Sequence, residues 1–432
     1  MKDKLNINNI SNIHFIGIGG MGMSGLARFF VQEKKVVTGS DVTKNIITEG
    51  LEDLGIRISY QQIESNITDD IDLFIHTEAL SDDNPELSRA KSTGKPVINY
   101  FEGLGLAANP YYLIAVAGTH GKTTTSAMIT DVFASAEKDP TAIIGSLRSK
   151  TKSNFRAGKS KYAIVEACEF RRDFLHLTPD VLVITNLEHD HVDYYETLSD
   201  VQQAFKELIR NVHDTGVVVT NPTDPNISPV LEECHVPVID YTKYFDATLK
   251  LYAPGIHNQQ NASVALAVAN HEKINSVTAK TALEEFTGTW RRFEYKGMLS
   301  GAHIYDDYAH HPTAVKATLA GLREKYPKHK ILAVFQPHTY SRTKGMFNEF
   351  AKSFKHADEV IVSPIYSARE ENLSGVNSRE LAVKILEYGP KAEYKASFAD
   401  IERYVRSKAE EGVVVIFMGA GSINELSSLL TN

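Results

Sequence analysis

The chain of 432 residues holds only two cysteines, Cys168 and Cys234. Neither sits in a metal-ligand spacing, and so sparse a use of cysteine suits a reducing cytoplasm. Positive charge is not in excess. Lys plus Arg total 46 against 54 Asp plus Glu, a formal net charge of -8, so nucleic acid is not the expected partner. No apolar run approaches a membrane span, and the opening MKDKLNINNISN carries no apolar signal segment. Fixed-period repeats and low-complexity tracts are also missing. The expectation is a cytoplasmic globular protein, long enough for two or three domains that each bury a core.

Strand and helix signals alternate throughout. IHFIGIG leads into the helical pattern MSGLARFFVQE, and KVVTGSD, DLFIHTEAL and KPVINY follow as further strands. That rhythm predicts a small parallel sheet with helical crossovers. LGLAANPYY, with its glycine and proline, reads as a linker. A second unit opens at Tyr112 with YLIAVAG and continues through YAIVEACE, VLVITNLEHDH and GVVVTNP to a helix over 258–270. A third opens near Lys296 and cycles through HIYDDYA, KILAVFQPH, EVIVSPIY and VVVIFMGAG. The expected class is α/β in three domains: a Rossmann-like 1–108, a P-loop ATPase-like 109–295 and a Rossmann-like 296–432.

Two glycine loops stand out. Gly17, Gly19 and Gly22 match G-x-G-x-x-G between a strand and a helix, where tight turning lets helix amides meet a diphosphate. Asp41 ends the next strand, where an acidic side chain reaches a ribose hydroxyl. On these residues alone a nicotinamide dinucleotide is the favoured ligand, with close helix–sheet packing as the plain alternative.

The second loop, GTHGKTTT, keeps the compact half of a P-loop: Gly118, Gly121, Lys122 and Thr123. Backbone amides there wrap phosphates, Lys122 neutralises them, and the Thr123 hydroxyl helps ligate Mg²⁺. Glu166, ending the strand YAIVE, is a further oxygen ligand. The run EHDHVDYY at 188–195 clusters carboxylates with His189 and His191 at a strand's end, either as part of the site or as a solvated turn. Glu169 is read more weakly, as a cap or as a partner of Arg171 or Arg172.

Together these residues resemble the Mur ligase family, ATP-dependent enzymes that form amide bonds in peptidoglycan precursor synthesis. The resemblance runs essentially end to end, through GIGGMGMSG, DNPEL at 83–87, GTHGKTTT, TNLEHDHVDYY, GIHNQQN at 255–261, RRFE at 291–294, DDYAHHPTAV at 306–315 and FQPHTYSRT at 335–343. DDYAHHP and FQPHTYSRT favour the alanine-adding branch. The family's fold implies a UDP-sugar, not NAD, at the first loop, ATP at the second and the incoming amino acid at the C-terminal domain.

The implied reaction joins L-alanine to the lactyl carboxylate of UDP-N-acetylmuramate through an acyl phosphate. The alternatives are a ligase recycling a murein tripeptide, a nicotinamide-dependent oxidoreductase or a non-catalytic nucleotide-binding module. By the resemblance, Gly17, Gly19, Gly20, Gly22, Ser40 and Asp41 hold the UDP-sugar. Gly118, Thr119, His120, Gly121, Lys122, Thr123, Thr124, Asn258, Asn261 and Arg292 hold ATP. Thr123, Glu166 and His191 bind Mg²⁺, and Lys122, Glu166, His191, Arg292 and Asp307 serve catalysis. His310, His338 and Arg342 face the amino acid, with Arg342 forking onto its carboxylate. His338, His310 and Asp307 are unranked candidates for taking the amine's proton.

Arg291 is read as a surface ion-pair residue and His311 as a helix cap or packing residue. Three departures from the family pattern stand out: EACEF for an EADE-type run, HTEAL at 76–80 for small polar residues, and Thr339 for a second arginine. The basic stretch 146–162 reads either as a loop over the phosphates or as a solvated one.

Overall fold

The computed structural model describes residues 5–431 apart from 82, 193 and 369. Residues 1–4 of the opening segment and Asp193 of the acidic run therefore lie outside the described residues. Three sheets form among those described. The first contains β1 (Asn12–Ile16), β2 (Val36–Ser40), β3 (Arg57–Ser59), β4 (Leu73–His76) and β5 (Val97–Asn99). All pairings are parallel, in the order β3-β2-β1-β4-β5. The order reverses at β1, so a crevice opens beyond the carboxyl ends of β1 and β4, where the first glycine loop leaves the sheet.

The second sheet contains β6 (Tyr112–Ala117), β7 (Thr141–Arg148), β8 (Ser153–Arg156), β9 (Tyr162–Glu166), β10 (Val181–Ile184), β11 (Val217–Thr220) and β12 (Val238–Asp240). Their order is β12-β11-β10-β6-β9-β7-β8. β6 thus lies between β10 and β9, and the three carboxyl ends bring together the GTHGKT loop, Glu166 and the Thr185–Asn186 turn. The apolar strands VLVI and VVVT are buried along their whole length, as a parallel sheet covered on both faces requires.

β7 and β8 pair antiparallel, so the basic stretch 146–162 is largely a hairpin rather than a free loop. Its two arginines are paired locally: Arg148 meets Asp131 at 2.6 Å and Arg156 meets Asp139 at 2.8 Å. Asn154, buried on β8, donates to the Met21 carbonyl and the Ser24 hydroxyl of helix Met21–Gln32.

The expected linker LGLAANPYY is in large part helix, since Tyr100–Ala108 is helical. Gly105, which suggested punctuation, permits close packing instead, as does Gly103 before it. A Cβ on Gly105 would lie 2.5 Å from the His176 carbonyl oxygen, and one on Gly103 would lie 2.9 Å from Leu26.

The third sheet contains β13 (Glu294–Leu299), β14 (Ala302–Asp307), β15 (Lys330–Phe335), β16 (Glu359–Val362), β17 (Lys391–Tyr394) and β18 (Val413–Met418), in the order β13-β14-β18-β15-β16-β17. Only the first pair is antiparallel. Strand alternation divides its core in two: Ile331, Ala333 and Phe335 pack on one face, Leu332 and Val334 on the other.

Two compact units emerge. One comprises Met1–Leu187, Gln202–Tyr244 and Val264–Leu283; the other comprises Glu188–Val201, Phe245–Ser263 and Glu284–Asn432. Among the described residues no helix is long and apolar enough to cross a membrane.

Candidate functional site

In the first unit the GTHGKT loop is shaped by glycine. Gly118 (φ +124°) and Gly121 (φ +82°) take left-handed backbone, and a Cβ on Gly118 would strike the Thr185 hydroxyl at 2.2 Å. Gly121 begins helix Lys122–Ser135, and no side chain caps it. The helix therefore keeps its first-turn amides, those of Lys122, Thr123 and Thr124, for an anion.

The amides of Thr119 and His120 donate to the Asn186 carbonyl (3.1 Å) and to Asn186 Oδ1 (2.9 Å), so these two amides hold the loop. Asn186 was not singled out from the sequence. Its place directly after β10, in TNLEHDH, was the available signal.

Lys122 donates to the carbonyls of Gly118 (2.5 Å) and Thr119 (3.2 Å) and pairs with Glu169 at 2.9 Å. Burial works against its charge, but Glu169, with Cys168 and Glu166 nearby, outweighs that and raises its pKa. Glu169, expected as a cap or as a partner of Arg171 or Arg172, is buried and pairs with Lys122. Arg171 meets Glu78 and Arg172 meets Glu207.

The Thr123 hydroxyl donates to Glu166 Oε2 at 2.8 Å, and the Gly145 amide on β7 donates to the same oxygen at 2.9 Å. Any side chain at 145 would collide with that carboxylate at 2.2 Å. Thr123 and Glu166 thus form a fixed pair of hard oxygen donors beside a cationic lysine, a donor set that fits Mg²⁺.

The first glycine loop is organised from inside. Gly17 (φ +83°) turns against Thr77, whose methyl lies 2.4 Å from where a Cβ would sit. The Gly17 and Ile18 amides both donate to the Ser40 carbonyl, at 2.8 and 2.9 Å. Gly20 precedes the helix Met21–Gln32 in extended backbone, and Gly22 lies against Tyr100.

Two residues expected to hold the UDP-sugar are engaged within the chain. The fully buried Ser40 hydroxyl donates to Glu86 at 2.5 Å. Asp41 accepts the Gly19 amide at 2.8 Å through one oxygen, and those of Val42 and Thr43 at 2.8 and 3.1 Å through the other. Both side chains brace the loop. Glu86, hydrogen-bonded by His14 (2.8 Å), Ser40 and Asn66 (2.9 Å), is the buried hub of that brace.

In the second unit, helix Ile256–His271 begins with the two asparagines. Asn258 ties its amide nitrogen to the Pro254 carbonyl at 2.9 Å. Asn261 makes no side-chain hydrogen bond among the described residues and keeps donor and acceptor open. Arg292 lies over the Tyr308 ring at 4.8 Å.

Arg291 is buried, not a surface residue: its guanidinium meets Asp306 at 3.1 Å and the carbonyls of Gly419 and Gly421. Asp307 accepts the Phe293 amide (2.7 Å) on one oxygen and the Ala309 amide (2.8 Å) on the other. Burial raises its pKa despite Arg292.

Arg342 directs Nε and Nη2 to Asp190 at 3.0 and 2.9 Å, and Nη1 to His338 Nδ1 at 3.2 Å. Its fork is therefore filled by a carboxylate of the chain itself. Burial would push Asp190 up, but Arg342 and the surrounding histidines hold it well below the usual range.

Arginine only donates, so His338 Nδ1 accepts and the neutral ring carries its hydrogen on Nε2. His310 Nδ1 lies 2.8 Å from the Tyr308 carbonyl and must donate, which leaves the Nε2 lone pair. Burial and then Arg342 lower both rings, His338 to about 4 and His310 well below its ordinary value.

His191 adopts left-handed backbone (φ +52°) directly after Asp190, whose carboxylate accepts its amide. His311 caps helix Pro312–Lys325 by accepting the Thr313 amide at 3.3 Å, as expected. Thr339 caps helix Tyr340–Gly345.

Three family models match in succession: the Mur ligase family catalytic domain over 12–112, the Mur ligase middle domain over 116–249, and the Mur ligase glutamate ligase domain over 291–421. A UDP-N-acetylmuramate–L-alanine ligase of Agathobacter rectalis is 38% identical over 98% of both chains. One of Acetivibrio thermocellus is 39% identical over 98% of this chain and 96% of its own. The crystal structure of UDP-N-acetylmuramate-alanine ligase MurC from Thermotoga maritima superposes with a TM-score of 0.81 at 29% identity, covering 97% of this chain and 98% of that one. A murein peptide ligase from Psychrobacter arcticus, at 24% identity and a TM-score of 0.72 over 97% and 98% of the two chains, shares the fold. Three α/β segments matched in order, and relatives this similar across nearly the whole length, place the chain in the Mur ligase family.

Proposed function

We propose that this chain uses ATP to join L-alanine to the lactyl carboxylate of UDP-N-acetylmuramate, releasing ADP and phosphate, in cytoplasmic peptidoglycan precursor synthesis. The observation that carries the reading is the pair of glycine loops on separate sheets, one of them beside Lys122, Thr123 and Glu166. Two phosphate-bearing substrates need two such loops, and a dehydrogenase would have no use for the second. Residues 1–108, 109–295 and 296–432 are proposed to bind UDP-sugar, ATP and amino acid in turn.

The lactyl carboxylate attacks the γ-phosphate of ATP, and ADP leaves an acyl phosphate behind. Lys122 and the first-turn amides of helix Lys122–Ser135 take up the phosphate charge, so the contribution is positioning and electrostatics. Thr123 and Glu166 would hold Mg²⁺, with His191 as a proposed third ligand. Bound there, the ion supplies further neutralisation of the phosphate oxygens. Arg292, whose guanidinium makes no hydrogen bond among the described residues and lies over Tyr308, is the proposed cation for the developing charge, and Asn261 the proposed reader of adenine.

The amine of alanine then attacks the acyl carbon, and phosphate departs. Free alanine is largely an ammonium ion at neutral pH, so a proton must leave first. Both oxygens of Asp307 are engaged by backbone amides and His338 Nδ1 by Arg342. The His310 Nε2 lone pair is therefore the proposed acceptor. The Arg342–Asp190 pair supports a revised role for Arg342: it orients His338, and meets the alanine carboxylate only by exchanging Asp190 for it.

Chromatography of reactions containing Mg-ATP, UDP-N-acetylmuramate and L-alanine tests the reading. Formation of the alanyl conjugate, with hydroxylamine diverting the acyl phosphate to a hydroxamate when alanine is omitted, is the expected result. Reduction of a nicotinamide cofactor without conjugate formation would sink it.

A further inference from the structure

The first turn of helix Met21–Gln32 carries the last glycine of the first loop and is held from two sides. Asn154 grips it through Met21 and Ser24. Opposite, the Tyr100 ring lies directly on Gly22: a Cβ there would come 2.5 Å from the ring's Cζ and 2.8 Å from the hydroxyl oxygen. Gly22 does not take left-handed backbone. What demands glycine at this position is the ring.

Tyr100 itself is rigidly placed. It opens helix Tyr100–Ala108, whose start is fixed by a reciprocal pair of 2.9 Å bonds between Asn99 and Glu102, and its ring meets Phe101 edge-on at 4.7 Å. Tyr100 is half-buried, and its hydroxyl makes no hydrogen bond among the described residues. Burial, then Glu166 and Cys168, push its ionisation upward, and its helix packs on the segment that follows β9, where Gly105 meets the His176 carbonyl. A protonated donor thus stands beside the first glycine loop, on an element that also touches the segment after β9, unused by the fold.

We propose that the Tyr100 hydroxyl is a substrate contact, donating to the lactyl carboxylate of the UDP-sugar and holding it at the phosphate loop. The inference rests on the ligase reading above. A UDP-sugar held by its diphosphate at the first loop must send its carboxylate towards the second, close to the like charge of Glu166. A neutral phenol forms a charge-assisted bond to that carboxylate without adding a competing cation next to Lys122.

The test is Tyr100→Phe, which keeps the ring on Gly22 and removes only the oxygen. Equilibrium binding of UDP-N-acetylmuramate is compared with that of UDP-N-acetylglucosamine, which lacks the lactyl group, for both proteins. The variant is expected to bind UDP-N-acetylmuramate about tenfold or more weakly, as for one lost bond to a charged group, with UDP-N-acetylglucosamine affinity and the KM for ATP unchanged. Equal losses for both sugars, or no loss for either, would overturn the proposal. A wild-type protein that binds neither sugar and forms no conjugate would instead remove the ligase reading, and this inference with it.

Discussion

Lys122 is surrounded by acceptors that anticipate a phosphate: two loop carbonyls and the Glu169 carboxylate. Lys122→Ala is expected to abolish turnover while leaving UDP-sugar affinity nearly intact, because the first loop is braced independently by Ser40, Asp41 and Glu86; titration calorimetry with the UDP-sugar alone checks this. His338 offers a pH test. Its pKa is pushed down to about 4 by burial and Arg342, against about 6.5 for an unfolded histidine. Between those values the unfolded chain binds the extra proton, so stability rises with pH across that window and is lost as pH falls through it. In urea unfolding, His338→Asn is expected to flatten that dependence by on the order of 3 kcal/mol. An unaltered slope would show that the ring is not held neutral. At this scale the clustering of the glycine turn, Lys122, Thr123 and Glu166 was legible, because backbone turns and phosphate chemistry restrict residue type. The internal hydrogen bonds of Ser40 and Asp41 and the Lys122–Glu169 pair were not, since spacing does not tell which partner a side chain at a loop takes.

Among the elements, the apolar strands were legible because buried parallel strands leave continuous runs such as VLVI and VVVT. The second half of helix Tyr100–Ala108 was read as part of a linker because Gly105 resembles punctuation, whereas it serves a close approach to the His176 carbonyl. Gly105→Ala is therefore expected to destabilise the protein by about 1–3 kcal/mol through overpacking, measured as a shift in urea midpoint with an unchanged slope. The β7–β8 hairpin escaped notice because its basic residues hide two local ion pairs and one buried asparagine. Asn154→Ala leaves the Met21 carbonyl and Ser24 without that donor, and a loss of about 1–3 kcal/mol is expected in the same assay. Because Met21 begins the helix after the first glycine loop, weaker UDP-sugar binding should accompany it.

For the molecule as a whole, the order of three α/β segments was readable from alternating signals, and the family resemblance assigned a ligand class to each. The structure adds which groups are already engaged: Asn186 on the phosphate loop, Asp190 on Arg342, and backbone amides on Asp307. Asn186 and Asp190 lie far in sequence from the groups they engage, so no local pattern announces those two. The central claim is that the UDP-sugar carboxylate and L-alanine are joined at the expense of ATP. Phosphate release from Mg-ATP with UDP-N-acetylmuramate, with L-alanine and the murein tripeptide supplied separately, tests it most directly. Release that requires both the UDP-sugar and L-alanine is the predicted result; release with the tripeptide alone, or release indifferent to the UDP-sugar, would contradict it.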